Sequence, residues 1–78
     1  MANQTAQRVG ERVRAELTQR GWSQSVLAEA LGVSQQACSR RLLGRVDWKH
    51  SELVKTAALL DVPLAYLVDD QSTEAIPA

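Results

Sequence analysis

The chain has 78 residues, 45% of them hydrophobic, and its nine basic and nine acidic side chains give a formal net charge of zero. That length makes one domain, with a core too small to supply more than about 3–5 kcal/mol unaided, so dimerisation is a natural supplement. A single cysteine cannot form an internal disulfide, a single histidine without a cysteine or carboxylate cluster argues against zinc, and no run nears the roughly 20 apolar residues that span a bilayer.

In chain order, Val9, Val13 and Leu17 recur at four-residue steps among Arg8, Glu11, Arg12 and Arg14. This predicts an amphipathic helix from about Thr5 to Arg20, stopped by Gly21. Trp22 precedes Ser23, an N-cap residue, and stands at staple spacing from Leu27, so a second helix starts at Gln24. Gly32 supplies a left-handed turn after Leu31. Val33 and Cys38 repeat the staple around Ser34, which caps a third helix from Gln35 to Leu43, with Gly44 as its stop. Arg45 to Trp48 form a loop, and a fourth helix begins between Asp47 and Ser51, both suitable caps. Leu53, Ala57 and Leu60 extend its apolar stripe; Val62 then leaves the α region before Pro63, which opens a short fifth helix through Leu67. The predicted fold is an all-α bundle of about five helices over residues 1–68, followed by an acidic, flexible tail over 69–78.

Apolar or small residues at Leu27, Ala28, Leu31, Val33, Cys38 and Leu42 fall where two crossed helices must touch, and Gln35, Gln36, Ser39 and Arg40 are left outside. That is how a chain presents a helix to the major groove. The charge agrees in distribution if not in total: residues 1–60 hold nine basic against five acidic side chains, a surplus of four, and none of the basic residues follows Leu60. The modest field implies weak binding by a monomer, steep salt dependence and reliance on two copies.

The run Ser23-Gln24, Leu27-Ala28, Leu31-Gly32-Val33-Ser34 and Ser39-Arg40, continued by Leu53, Ala57 and Leu60-Asp61-Val62, resembles the helix-turn-helix of Cro and the lambdoid repressors, the XRE family, over roughly residues 12–68. The resemblance implies a compact helical bundle that binds a short two-fold DNA operator as a dimer and regulates transcription. It puts glutamine at the start of the recognition helix, where Gln35 and Gln36 match and can bond adenine N6 and N7 together, with Ser39 and Arg40 one turn on; arginine prefers guanine O6 and N7. Gln24, Ser34, Arg45 and Lys49 are assigned to phosphate, the first two because helix starts expose backbone N–H groups.

Two departures from the family pattern concern the same pair of helices. Family members often join an arginine late in the first helix to a glutamate late in the third, but Leu17 and Leu42 occupy those places here, which predicts an apolar contact instead. Arg41 stands where the family has an aliphatic residue; either its stem packs while the guanidinium reaches out to phosphate, or the helix is rotated.

Other residues have plainer readings. Cys38 is core filler rather than a redox sensor, His50 a solvated residue near a helix start, and Trp22 and Trp48 core rather than base-stacking residues. Leu64, Tyr66, Leu67 and Val68 form an apolar end that serves either a dimer interface or closure of the monomer core. No paired acid and base or phosphate-cradling glycine loop supports catalysis, and nothing implies a cofactor or small-molecule ligand. The chain therefore reads as a cytoplasmic transcriptional regulator, a repressor of the Cro or phage immunity type. The alternative is a protein-interaction module, an antitoxin or adaptor built on the same bundle.

Overall fold

A computed structural model describes residues 4–68. Five helices follow one another: α1 (Gln4–Arg20), α2 (Gln24–Leu31), α3 (Gln35–Leu42), α4 (His50–Leu60) and α5 (Leu64–Val68), with no strand among the described residues. The tail read from the sequence at 69–78 lies outside the described residues.

α1, α2, α3 and α4 end in the same way. A residue with positive φ stands one or two positions past the last helical residue, and the N–H of the residue after it reaches back five positions: Trp22 to Leu17 at 2.9 Å, Val33 to Ala28 at 3.0 Å, Arg45 to Arg40 at 2.9 Å and Val62 to Ala57 at 3.0 Å. These are Schellman closures, which satisfy carbonyls that a helix end leaves open. Gly21, Gly32 and Gly44 provide three of the left-handed residues; the fourth is Asp61, at φ 59°, where the sequence offers no glycine.

Helix starts follow the sequence less closely. Ser34 caps α3 as expected, its Oγ accepting from the Ala37 N–H at 3.1 Å, whereas Ser23 has N-cap backbone geometry but makes no side-chain cap bond. α3 stops at Leu42, one residue early, because Leu43 already serves as its C-cap. Neither Asp47 nor Ser51 caps α4. Lys49 holds the N-cap position, and Glu52 one turn on accepts the Lys49 N–H at 2.9 Å.

The core gathers one stripe from each helix: Val9, Val13 and Leu17 from α1, Leu27 and Leu31 from α2, Cys38 and Leu42 from α3, Ala57 and Leu60 from α4. α5 adds Leu67, which has no exposed surface; burying such a leucine is worth roughly 1.5–3 kcal/mol. Leu64 and Val68 pack against the same cluster. Leu67 is thus taken up by the monomer core and is unavailable as a dimer contact, whereas Tyr66 is exposed and Leu64 and Val68 are half-buried. Leu17 and Leu42 belong to this one apolar cluster, in line with the apolar replacement of the family's ion pair.

Polar bonds along the rim lock α1 to the C-terminal helices. The Arg20 guanidinium donates to the Leu60 carbonyl at 2.6 Å and pairs with Glu16, whose other carboxylate oxygen accepts from the Tyr66 hydroxyl at 3.0 Å. Arg12 donates to the Tyr66 carbonyl at 2.6 Å and lies 5.6 Å from its ring centroid. Arg20 also lies over Trp22, 5.9 Å from the ring centroid. Trp22 is therefore not core: Gly21 swings the chain outward, and the residue is left 38% exposed on the rim.

One contact sets how α3 sits on the bundle. A Cβ built on Gly10 of α1 would lie 2.2 Å from the Leu42 carbonyl oxygen and 2.8 Å from its carbon. α1 and the end of α3 meet backbone to backbone, which no side chain larger than hydrogen permits.

Candidate nucleic-acid interface

The three-residue turn Gly32-Val33-Ser34 brings the first turn of α3 beside that of α2. Beneath the junction, Cys38 is fully buried, its Sγ 3.9 Å from the Gln24 carbonyl. Burial pushes the thiol pKa up, further than the Arg41 charge pulls it down, and Glu52 adds to the rise. The thiol stays neutral and fills space.

On the opposite side of α3, Gln35, Gln36 and Arg40 are exposed and Ser39 is half-buried. Gln24, Ser34, Arg45 and Lys49 are also exposed, Gln24 and Ser34 at the starts of α2 and α3, Arg45 and Lys49 in the segment from α3 to α4. Gln35 has a partner the sequence did not disclose: its amide nitrogen donates to the Ser25 hydroxyl, across from α3 to α2. His50, also exposed, opens α4.

Arg41 points elsewhere. Its Nε donates to Glu52 Oε1 at 2.9 Å and its Nη1 to the Ala37 carbonyl at 3.0 Å, with the side chain only 14% exposed. The expected outward reach to phosphate is thus replaced by an inward ion pair between α3 and α4. The cause is Glu52, held by the Lys49 N–H at the head of α4 and otherwise without a countercharge so close. Burial pushes the Glu52 carboxyl up, but the bond from Arg41, the backbone N–H of Lys49 and both cationic charges together hold it below the usual 4.5. Trp48 completes the clamp: its indole N–H donates to the Arg41 carbonyl at 3.2 Å while the ring packs on the core. The segment carrying Arg45 and Lys49 is thereby tied to α3.

Among the described residues, no group of three His, Cys, Asp or Glu side chains is placed to hold a metal, and no helix is long and apolar enough to cross a membrane.

Residues 13–67 match the model of a helix-turn-helix family, and the match includes all of α2, α3 and α4. The chain belongs to the XRE-type helix-turn-helix family. Solved structures agree. The restriction-modification controller protein C.AhdI from Aeromonas hydrophila is similar, with TM-score 0.72 and 26% identity over 80% of this chain and 94% of that one. SinR, solved in a complex with SinI, gives TM-score 0.69 and 28% identity over 90% of this chain and 68% of that one. The clp gene regulator ClgR from C. glutamicum superposes with TM-score 0.78 across 97% of this chain and 99% of its own, at 20% identity, a likeness of fold alone. No curated protein sequence matches the chain significantly. Family and fold together make this helix-turn-helix protein a DNA-binding regulator of transcription.

Proposed function

We propose that the protein is a repressor that binds a short two-fold operator as a homodimer, with one α3 in each of two successive major grooves about 34–36 Å apart, and acts by excluding polymerase. One observation carries this reading. α3 buries Cys38 and Leu42 completely on one side and exposes Gln35, Gln36 and Arg40 on the other, polar groups that the apolar core does not use. Gln35 and Gln36 read adenine through paired amide bonds, Ser39 and Arg40 extend the sequence read, and each well-made bidentate contact discriminates by about 1–3 kcal/mol. Gln24, Ser34, Arg45 and Lys49 hold phosphate and set register. Arg41 has no part in this contact set; Glu52 already satisfies it.

The test is selection of bound duplexes from random DNA, followed by titration of the triple variant Gln35→Ala, Gln36→Ala and Arg40→Ala. The expected result is an enriched, roughly symmetric site with A·T steps opposite Gln35, and loss of its recognition by a variant whose circular dichroism is unchanged. Selection that enriches nothing refutes specific reading.

A second reading has one observation in its favour: SinR was solved in complex with another protein, SinI. A protein-interaction module of the antitoxin or adaptor kind would retain its cellular function in the triple variant, which separates the two.

A further inference from the structure

Resting on the reading that Gln35 contacts a base, we propose that Ser25 is a positioning residue that determines specificity: from α2 it fixes the side-chain amide of Gln35 for adenine. Gln35 is the first residue of α3 and is exposed, so nothing in the apolar core restrains its side chain. Its side-chain nitrogen donates a hydrogen bond to the Ser25 hydroxyl.

The chemistry of the amide makes this bond consequential. A primary amide nitrogen carries two hydrogens, and its carbonyl oxygen two lone pairs. Pairing with adenine needs the oxygen to accept from N6 and one hydrogen to reach N7. The bond to Ser25 takes the other hydrogen. It therefore leaves the amide oxygen and one hydrogen for the base and tethers the amide beside the start of α2. It also removes rotamer freedom before DNA arrives, so less side-chain entropy is lost on binding.

The two residues are held at this separation independently of their own bond. One turn along α3 from Ser34, Cys38 is wedged under the first turn of α2 with its sulfur 3.9 Å from the Gln24 carbonyl, and Gln24 is the neighbour of Ser25. The helix starts are thus fastened from below, and Ser25 lies at the second position of α2, within reach of the first position of α3. In composition alone Ser25 is one polar residue of an exposed helix start. Only the crossing of the two helices gives it a role.

The variant that tests this is Ser25→Ala, with Ser25→Thr as its conservative partner and Gln35→Ala as reference. Fluorescence anisotropy measures affinity for the duplex selected by the wild-type protein, and for duplexes carrying each other base pair at the position that Gln35→Ala relaxes. The expected outcome is that Ser25→Ala lowers discrimination at that one position by about three- to tenfold, the size of one ordinary hydrogen bond. Discrimination elsewhere and the slope of affinity against salt stay unchanged, and Ser25→Thr restores most of the loss. In the double variant with Gln35→Ala the serine change adds nothing further. NMR relaxation of the Gln35 side-chain amide in the protein without DNA gives a second readout: ordered in the wild type, mobile in Ser25→Ala.

Full discrimination in Ser25→Ala, a uniform loss across all sequences, or an equally mobile Gln35 amide in both proteins overturns the assignment to Ser25 while leaving the operator reading in place. A wild-type protein that prefers no duplex overturns the operator reading itself, and the role of Ser25 with it.

Discussion

Replacing Gly10 by alanine sets two opposed effects against each other. In the middle of a helix the change removes the conformational entropy that glycine loses on folding, a gain of roughly 0.5–1 kcal/mol. Against it stands the contact with α3: the new methyl would lie 2.2 Å from the Leu42 carbonyl oxygen, where ordinary contact begins at 3.4 Å, and 3.0 Å from the Arg41 oxygen. The obstacle is backbone on both sides, so no rotamer change relieves it. α1 and the end of α3 would have to separate by the difference between 2.2 and 3.4 Å, about 1.2 Å. Overpacking of this kind costs about 1–3 kcal/mol or more, so the steric cost wins. A net loss of about 1–2 kcal/mol is a large part of what a domain of this size has, and lowers Tm by roughly 5–15 °C. The assay is thermal and urea denaturation followed by circular dichroism at matched concentration. Because α3 carries the proposed reading residues, operator affinity of the still-folded protein falls as well. A Gly10→Ala protein that melts at or above the wild-type temperature would refute the backbone contact and, with it, the placement of α3 on α1.

The remaining predictions probe the other contacts that place α3 and α4. Asp61→Gly stabilises the protein by about 1 kcal/mol, because it removes a Cβ from a left-handed residue and a negative charge from the end of α4; denaturant midpoints check it, and an unchanged or lower midpoint counts against the closure described. Glu52→Gln leaves Arg41 without a countercharge and lowers Tm at neutral pH by several degrees, while Leu42→Glu, which buries a charge where Leu42 is 1% exposed, lowers it further. Acid acts on the same carboxylates. Glu52 and Glu16 both titrate below 4.5 in the folded protein, Glu16 mainly through its bond with Arg20, so their contribution is complete above pH 4.5 and is lost as pH falls through the lowered values. Tm measured against pH therefore drops below about 4.5, and the drop is shallower in Glu52→Gln; an equally steep acid limb in both proteins would contradict the ion pair.

Several features were legible in the sequence because each depends on a few neighbouring residues. Gly21, Gly32 and Gly44 stop three helices, Ser34 starts the third, and the apolar steps through Val9, Val13 and Leu17 mark the buried side of the first. A cap or a left-handed turn is decided within one turn of chain, where residue type and spacing suffice. The start of α4 was less legible since its cap is Lys49, which by residue type looks unsuited; the capping is done in reverse by Glu52.

What could not be read locally is which surfaces meet. Arg41 stands where the family has an aliphatic residue, which left its guanidinium to reach out or the helix to rotate, yet a glutamate eleven positions on draws it inward. Leu67 could be read as a dimer contact or as core until its burial put it in the core, and Trp22 looked like core until Gly21 turned it to the rim beside Arg20. Gly10 and Ser25 gave no sequence signal: a glycine within a helix and a serine near a helix start are ordinary residues until a second helix crosses them.

The sequence by itself determined where the helices begin and end to within a few residues, and that α3 has one apolar side and one polar side, since both follow from short-range sterics and periodicity. Only the tertiary structure decided which polar side chains stay on the surface, which are taken up by the bundle, and which partner orients Gln35. Ion pairs and close backbone approaches join residues far apart in the chain, and their existence depends on how the helices cross.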